Sequence, residues 1–391
     1  MTMRKIVEGV HWCGVVDWDR RMFDALVPLP DGTSYNAYLV QGSEQTALLD
    51  GVDDSKTGLL LETLRDVPKI DYIISHHAEQ DHSGALPALM QRYPEARLLA
   101  SVPGRKFLLD LLELPEDRVV AVKDGETLAL GGKTLRFLST PWVHWPETMS
   151  TFLEEDGILF SCDFFGSHLA TSELYAKEGA RVYRAAKLYY AQIMLPYAKQ
   201  VAKNIEKVAA LDIRCIAPSH GPLYDKPSIV MDAWREWTSA PPQNLAVVAY
   251  VSMHGSTRRM AEHLVNALIA RGVSVRQFDL TSTDLGELAM TLVDASTILL
   301  GTPAMLNGVH PLAANAAFVI NALHPKAKFA GLFGSYGWGA KPLENPAALF
   351  PGLALEFLPP VLSRGLPRAA EFTALDQLAA AVAAKHAAPA D

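Results

Sequence analysis

The chain is poor in cysteine, and the few cysteines it has are scattered. Only Cys13, Cys162 and Cys215 occur in 391 residues. An odd number of widely separated cysteines argues against a disulfide framework and indicates a reducing compartment. The sequence contains no Cys-x-x-Cys pair, which excludes zinc ribbons, tetrathiolate iron sites and most iron–sulfur clusters from this chain.

Clustered positive charge and long apolar runs are also missing. The 35 Lys and Arg residues stand against 43 Asp and Glu, a net charge of −8, without a basic block. Nucleic acid is therefore not an expected partner, whereas a positively charged protein is a reasonable one. No run approaches the ~18 apolar residues of a membrane span, and the N-terminus lacks the apolar stretch of a signal peptide. We expect no membrane association and a cytoplasmic protein.

What is present is enough apolar sequence for more than one core. Apolar residues make up 49% of the chain, and its length predicts two or three domains at ~150 residues each. The best candidate for a boundary is the segment 239–243, where Pro241 and Pro242 follow a helical stretch and precede an apolar run. We therefore expect one domain over 1–242 and a second over 243–391.

The first of these domains has mixed strand and helix patterns without a clean alternation. Strands are predicted near 34–40, 46–51, 71–75, 97–101 and 133–139, with a hairpin over 150–163 that turns at Asp156-Gly157. Helices are predicted near 56–65, 83–92, 106–112 and 181–211, the last interrupted by Pro196.

The second domain alternates regularly between strand and helix. Apolar strands are predicted near 245–251, 273–278, 296–301 and 329–334, with a weaker fifth strand near 353–358. Helical patterns separate them, and an Ala-rich helix follows the last. This alternation predicts a doubly wound parallel sheet.

The first domain holds a dense group of metal-ligand residue types. Within seven positions lie His76, His77, Glu79, Asp81 and His82, at the corner between a predicted strand and a helix. Two imidazoles and two carboxylates suit a divalent metal ion or a pair of them. A solvated, charged turn is the alternative, although four ligand-type residues at this density are uncommon by accident.

Three isolated residues extend this pattern. His144, Asp163 and His220 each follow a predicted strand, and the ends of strands are where α/β proteins place ligands. A single histidine in such a position is more often structural. Three of them, in a chain that already holds the cluster, favour a metal site.

The second domain offers three segments that suit a phosphate and a flat ring. Ser252 to Thr257 joins the first strand to a helix and combines hydroxyl groups, a glycine and a helix N-terminus, which is an anion site. Neither a G-x-G-x-x-G nor a P-loop motif is present, so a monophosphate is expected rather than a dinucleotide. Gly301 to Gly308 and Gly334 to Gly339 follow the third and fourth strands.

The metal motif resembles that of the metallo-β-lactamase fold, His-x-His-x-Asp-His, with Glu79 in place of the second histidine. That replacement resembles the flavodiiron proteins, or A-type flavoproteins. The resemblance implies an αββα sandwich that carries two irons. One iron would be held by His77, Glu79 and His144, the other by Asp81, His82 and His220, with Asp163 bridging. It also implies that His76 is not a ligand and at most contacts one. For His168 it implies a role as a proton donor or as a residue that contacts the ligands.

The second domain resembles the flavodoxin-like, FMN-binding domain of the same family. The residues expected at FMN are Ser252, Met253, His254, Gly255, Ser256, Thr257, Thr302, Pro303, Ala304, Met305, Leu306, Asn307, Ser335, Tyr336, Gly337, Trp338 and Gly339. The implied activity is reduction of dioxygen to water, of nitric oxide to nitrous oxide, or of both. The implied partners are an external electron donor such as rubredoxin and a second copy of the chain, in a head-to-tail homodimer or a dimer of such dimers.

Two other functions remain open at this point. The first is a metallo-β-lactamase-fold hydrolase that carries an incidental flavodoxin domain, which Glu79 disfavours because a carboxylate is a harder ligand than an imidazole. The second is a non-enzymatic oxygen sensor on the same diiron scaffold.

Overall fold

The computed structural model describes residues 2–177, 179–339 and 341–388. The chain divides into two compact units, Met1–Thr238 and Ser239–Asp391. Within the described ranges, no helix is both long enough and apolar enough to cross a bilayer.

The first unit is built mainly from short strands. In chain order they are β1 (Arg4–Val7), β2 (Val10–Trp12), β3 (Val15–Asp17), β4 (Met22–Phe23), β5 (Val27–Pro28), β6 (Thr33–Tyr35), β7 (Tyr38–Gln41), β8 (Thr46–Leu49), β9 (Tyr72–Ile74), β10 (Arg97–Ser101), β11 (Val119–Val122), β12 (Thr127–Ala129), β13 (Thr134–Ser139), β14 (Met149–Leu153), β15 (Ile158–Cys162) and β16 (Cys215–Pro218).

Most of these strands form two larger sheets. One has the order β1-β2-β7-β8-β9-β10-β11 and the other the order β12-β13-β14-β15-β16. The first sheet is antiparallel as far as β8 and parallel from β8 to β11. In the second sheet only the last pair, β15 and β16, is parallel. Most candidate ligand residues follow the parallel strands β9, β15 and β16, whereas His144 follows the antiparallel strand β13.

In the part of the first unit that the structure describes, seven α-helices accompany these sheets. They are α1 (Thr57–Thr63), α2 (Gln80–Ser83), α3 (Leu86–Arg92), α4 (Val102–Leu111), α5 (Ala180–Tyr189), α6 (Ala198–Ala209) and α7 (Pro227–Ser239). Between α5 and α6 the chain forms a π-helical turn and then a 3-10 turn that contains Pro196. The predicted interruption at Pro196 is therefore confirmed.

Alternating side chains of the first sheet enter two separate cores. Leu48, Ile73 and Leu98 pack with α1, α3 and α4, whereas their chain neighbours, such as Leu49 and Ile74, face the second sheet. This period of two is what a strand buried on both faces requires. The result is the αββα sandwich that the resemblance to the metallo-β-lactamase fold implies.

The second unit has a single main sheet. Its strands are β17 (Gln243–Tyr250), β18 (Ser274–Asp279), β19 (Ala295–Met305), β20 (Gly308–Val309), β21 (Phe329–Tyr336), β22 (Glu356–Phe357) and β23 (Val361–Arg364). The order is β18-β17-β19-β21-β22, with β23 also paired to β21 and β20 paired antiparallel to β19. All other pairs are parallel, so the predicted doubly wound, flavodoxin-like sheet is confirmed.

The helices of the second unit are α8 (Ser256–Ile269), α9 (Leu285–Leu292), α10 (Pro311–Leu323) and α11 (Ala369–Ala387). On one face of the sheet, α8 and α11 pack on Ala246, Val248 and Tyr250 of β17.

Among the predicted boundaries that differ from the structure, two have a clear physical cause. The helix expected from position 106 begins at Val102, because the Ser101 hydroxyl accepts a hydrogen bond from the backbone N–H of Gly104 and so caps it. The expected fifth strand near 353–358 is split into β22 and β23. Pro359 and Pro360, which cannot donate a backbone hydrogen bond, separate the two pieces.

Candidate functional site

The candidate ligand residues of the first unit all emerge at ends of strands. His77 and Glu79 follow β9, and Asp81 and His82 lie on the short helix α2 just beyond. His144 lies between β13 and β14, Asp163 directly follows β15, and His220 comes two residues after β16. All seven side chains meet at one edge of the sandwich, and they form two groups.

The first group consists of His77, Glu79 and His144. Oε2 of Glu79 lies 3.0 Å from Nε2 of His77 and 3.1 Å from Nε2 of His144. In the second group, Asp81 lies beside His220 and His82: its Oδ2 is 3.0 Å from Nε2 of His220 and its Oδ1 is 3.3 Å from Nε2 of His82. Each group therefore contains two imidazoles and one carboxylate.

Asp163 lies between the two groups and faces both. Its Oδ2 is 3.6 Å from Nε2 of His77 and 3.5 Å from Nε2 of His144. Its Oδ1 is 3.2 Å from Nε2 of His82 and 3.3 Å from Nε2 of His220. One carboxylate oxygen thus serves each group, which is the geometry of a bridging ligand.

Hydrogen bonds to the outer ring nitrogens orient two of the imidazoles. Nδ1 of His77 lies 2.6 Å from Oε1 of Glu147, and Nδ1 of His220 donates to the backbone carbonyl of Ser34 at 2.7 Å. A proton on Nδ1 leaves the Nε2 lone pair free to point at the centre of the site, as in metal-binding histidines.

The electrostatics of the site favour positive charge. Burial works against protonation of His77, His82 and His220, but the surrounding carboxylates outweigh it. They raise the pKa of His77 and of His82 to about 9 and the pKa of His220 to about 10. Conversely, despite burial, the imidazoles hold the pKa of Glu79 and of Asp163 well below the usual range. In the metal-free site, protons on these imidazoles supply the positive charge that metal cations would supply, and they must leave when metal binds.

Several atoms of the site are buried and lie near other ligand atoms, but they make no hydrogen bond of suitable geometry. They are both carboxylate oxygens of Asp81, Nε2 of His82 and Oδ2 of Asp163. Buried polar atoms of this kind are costly unless they are satisfied, and a pair of metal ions would satisfy all four. Two imidazoles with one carboxylate, repeated twice, is a ligand set typical of non-haem iron. The residues therefore fit a diiron centre.

A third ligand-type group contains Cys162 together with His82 and Asp163. Burial raises the pKa of the Cys162 thiol well above its ordinary value. In the metal-free site the Cys162 thiol is therefore protonated.

The structure separates His76 and His168 from the ligand set. Both ring nitrogens of His76 are engaged, by Asp50 at 2.7 Å and by Thr151 at 2.7 Å. His168 lies beside His220, with ring centroids 4.9 Å apart. Its Nδ1 is 2.9 Å from the Thr33 hydroxyl, and its buried Nε2 has no partner.

Sequence reasoning missed two side chains, Glu147 and Tyr189, that hydrogen-bond to the predicted ligands. Glu147 is buried and hydrogen-bonded to His77, and its position three residues after His144 was the signal that could have found it. The Tyr189 hydroxyl donates to Oδ1 of Asp163 at 2.8 Å. It reaches the site from α5, and no local pattern marks it.

In the second unit, the segment 252–257 forms the turn into α8. Gly255 has a φ of 88°, and no heavy atom lies within 4 Å of a Cβ built on it. The Ser252 hydroxyl accepts from the backbone N–H of Gly255 at 3.1 Å. No side chain caps the first turn of α8, so its N–H groups and the helix dipole are available to an anion.

The other two predicted segments lie mostly within strands rather than in loops, which corrects the sequence interpretation. Thr302 to Met305 belong to β19, and Ser335 and Tyr336 belong to β21. Thr302 pairs with Gly334, and a Cβ on Gly334 would lie 1.9 Å from the Thr302 carbonyl oxygen. The strand pairing therefore extends past positions 301 and 334, where the sequence analysis expects the two strands to end.

Leu306 and Asn307 form the two-residue turn between β19 and β20, both with positive φ, as type I′ hairpins require. Gly337 to Gly339 follow β21, where Trp338 is 67% exposed. The Thr257 hydroxyl lies 3.2 Å from that of Ser335. Because β17, β19 and β21 are neighbours, all seventeen predicted residues lie along one carboxyl-terminal edge of the sheet.

Comparison with known proteins agrees with this architecture. Residues 33–221 match the family model described as ODP family beta lactamase. The coenzyme F420H2 oxidase of Methanothermobacter marburgensis is 37% identical over 85% of this chain and 86% of its own. The nitric oxide reductase of Moorella thermoacetica is 34% identical over 85% of this chain and 86% of its own.

Solved structures are similar over the whole length. The rubredoxin oxygen:oxidoreductase of Desulfovibrio gigas has a TM-score of 0.94 at 33% identity, covering 99% of this chain and 100% of its own. The flavodiiron protein of Giardia intestinalis has a TM-score of 0.89 at 26% identity, covering 99% and 98%. With these relatives and the two-group site, the chain belongs to the flavodiiron proteins, the type A flavoproteins.

Proposed function

We propose that the protein is an oxidoreductase that reduces dioxygen to water, nitric oxide to nitrous oxide, or both, at a diiron centre supplied with electrons by FMN. The observation that carries this proposal is the pair of two-imidazole, one-carboxylate groups on either side of Asp163. The names of its relatives include an oxygen oxidoreductase and a nitric oxide reductase.

The ligand assignment follows the two groups. His77, Glu79 and His144 would hold one iron, Asp81, His82 and His220 the other, and Asp163 would bridge them. When bound, two ferrous ions and a reduced flavin would together supply four electrons. Four electrons, with four protons, convert dioxygen to two waters. Two electrons, with two protons, convert two nitric oxide molecules to nitrous oxide and one water.

Side chains around the ligands orient them and shield the centre. Tyr189 holds Oδ1 of Asp163, and Glu147 holds the ring of His77. Phe23, on the hairpin of β4 and β5, is buried and lies with its ring centroid 6.5 Å from that of His220, where it excludes water. His168, with its free Nε2, is our candidate proton donor.

We propose FMN as the flavin of the second unit. The phosphate would bind at the N-terminus of α8, through the turn 252–257, and the ring beside the segments 302–307 and 335–339. A single helix N-terminus with a glycine in the left-handed conformation suits one phosphate group.

The proposed partners are an external electron donor and a second chain. The chain has no Cys-x-x-Cys motif, so the flavin needs a separate donor, for which we propose rubredoxin. We further propose a head-to-tail homodimer, in which a twofold interface brings the flavin of one chain to the diiron centre of the other twice. The three buried, free cysteines suit the reducing cytoplasm.

Steady-state consumption of each gas tests the activity. Iron- and FMN-loaded protein with excess reduced rubredoxin should consume dioxygen or nitric oxide over many turnovers, and the double variant Asp81→Ala/His82→Ala should not. A single turnover would instead indicate a sensor. Turnover of a lactam, thioester or phosphodiester by zinc-loaded protein, without gas consumption, would indicate a hydrolase.

Mixed dimers test the assembly. The iron-site variant Asp81→Ala/His82→Ala is combined with a flavin-site variant in which Ser256 and Thr257 are replaced by Glu. Each should be inactive alone, whereas the co-expressed heterodimer should regain activity. Heterodimers that form, retain both cofactors and stay inactive would contradict electron transfer between chains.

A further inference from the structure

Four buried polar side chains form a chain of hydrogen bonds beside the candidate metal ligands, here called the Asp50 cluster: Ser219, Asp50, His76 and Thr151. Asp50 receives the backbone N–H of His76 on Oδ1 at 2.9 Å and the ring Nδ1 of His76 on Oδ2 at 2.7 Å. Nε2 of His76 lies 2.7 Å from the Thr151 hydroxyl, and the Ser219 hydroxyl donates to Oδ2 of Asp50 at 3.1 Å. None of the four is more than 2% exposed.

The Asp50 cluster joins the two sheets of the first unit. Asp50 and His76 follow β8 and β9 of the seven-stranded sheet, whereas Thr151 lies on β14 and Ser219 follows β16 of the five-stranded sheet. The imidazole of His76 therefore spans the interface between the sheets. A second hydrogen bond also joins the two sheets: the backbone N–H of Met149, on β14, donates to the backbone carbonyl of His76 at 3.1 Å.

Two members of the Asp50 cluster are adjacent in sequence to a candidate ligand. His76 precedes His77, and Ser219 precedes His220. Gly51, next to Asp50, donates its backbone N–H to the carbonyl of His82 at 2.9 Å. Three of the four ligand histidines are therefore tied to the Asp50 carboxylate. His77 and His220 each follow a residue that hydrogen-bonds to Asp50, and the backbone of His82 is bonded to the residue after Asp50.

We propose that His76 is a positioning residue for the metal centre, which sets the distance between the strand ends that carry His77 and His220. With both ring nitrogens engaged, His76 cannot itself bind metal and acts through the ligands beside it. This inference rests on the proposed diiron site. Hydrogen bonds that orient ligands of a metal typically change its affinity 10- to 100-fold.

The test removes one hydroxyl and measures metal release. Thr151→Val replaces the partner of His76 Nε2 by a methyl group, and Thr151→Ser restores a hydroxyl. The matched control is Thr297→Val, which removes an equally short contact, 2.7 Å from the Thr297 hydroxyl to Nε2 of His386, in the other unit. Metal-free proteins are loaded anaerobically with Co²⁺, and we record the visible absorption spectrum, the number of ions bound and the rate of removal by EDTA.

We expect Thr151→Val to release Co²⁺ about 10 to 100 times faster than the unmodified chain, with an altered spectrum. Thr151→Ser and Thr297→Val should match the unmodified chain within a few-fold. His76→Gln should also release Co²⁺ faster, which covers the case in which Thr151→Val does not fold.

A purely structural role gives a different result. In that case Thr151→Val lowers the unfolding temperature of the metal-free protein, but its spectrum and release rate stay unchanged, which overturns the proposal. Equal release from Thr151→Ser and Thr151→Val overturns it as well. An unmodified chain that binds fewer than two Co²⁺ ions refutes the diiron site itself, a failure distinct from that of His76.

Discussion

Replacing the bridging carboxylate by an amide, Asp163→Asn, should remove one particular metal ion. The amide has one oxygen, and donation from the Tyr189 hydroxyl, which now bonds Oδ1 at 2.8 Å, favours the amide orientation that keeps this oxygen on the Tyr189 side. The oxygen therefore continues to face His82 and His220. The amide NH2 takes the place of Oδ2, toward His77 and His144, where it cannot bind a cation.

The size of the effect follows from the loss of a buried charged partner. Asp163 is 1% exposed, and removing one member of a buried ion pair costs about 3–5 kcal/mol. At about 1.4 kcal/mol for each factor of ten, the ion at His77, Glu79 and His144 should bind about 10²- to 10⁴-fold more weakly. The other ion should be affected less, since it keeps an oxygen from position 163.

Competition of Co²⁺ binding against a fluorescent chelator measures both sites. Asp163→Asn should bind one ion tightly and the other weakly. Adding Glu79→Gln should then leave the tight ion in place, whereas adding Asp81→Asn should remove it. The control is Asp24→Asn. Asp24 is close enough to Glu79 and Asp81 that these carboxylates, together with burial, raise its pKa, but it does not belong to either ligand group.

Two results would refute this reasoning. One is an Asp163→Asn protein that binds two ions as tightly as the unmodified chain. The other is an equal loss of affinity in Asp24→Asn, which would show that general negative charge, and not a bridging ligand, holds the ion.

Three further predictions concern protons and the flavin. Loading metal-free protein with Co²⁺ at pH 7.5 should release about three protons per chain, because His77, His82 and His220 have pKa values raised to about 9, 9 and 10 and must lose their protons to bind metal; a pH-indicator titration that detects no release contradicts this. Because these pKa values are raised on folding, their stabilising effect is complete below about pH 6.5 and is lost as the pH rises through 9 to 10, so the unfolding temperature of metal-free protein should fall over that range, and a constant one would count against the charge pairs. Ser256→Glu should weaken FMN binding at least about tenfold by fluorescence titration, since like charges in contact cost several kcal/mol, whereas Ser256→Gln should bind nearly normally; equal affinities would place the phosphate elsewhere.

The two units differ in how well their elements could be predicted. In the second unit, largely buried strands such as β17 and β21 are apolar runs between helical patterns, and they were found to within a few residues. In the first unit, β1 to β5 were missed because they are two to four residues long and carry no sustained alternation. Their pairing partners, and not their own residues, make them strands.

The sequence by itself determined the local part of the site. Four ligand-type side chains between His77 and His82 are held together by chain connectivity, whatever the fold, and the turn 252–257 places its own glycine and hydroxyls at a helix N-terminus.

Only the tertiary structure decided which distant residues complete the site. His144, Asp163 and His220 reach the cluster because two sheets pack face to face and the connections that follow β13, β15 and β16 lie at the same edge as the end of β9. The same packing brought Tyr189 to Asp163 and turned His76 toward Asp50, away from the ligands beside it. Such contacts join residues far apart in the chain, so they depend on sheet order and helix packing, which no local pattern of residues contains.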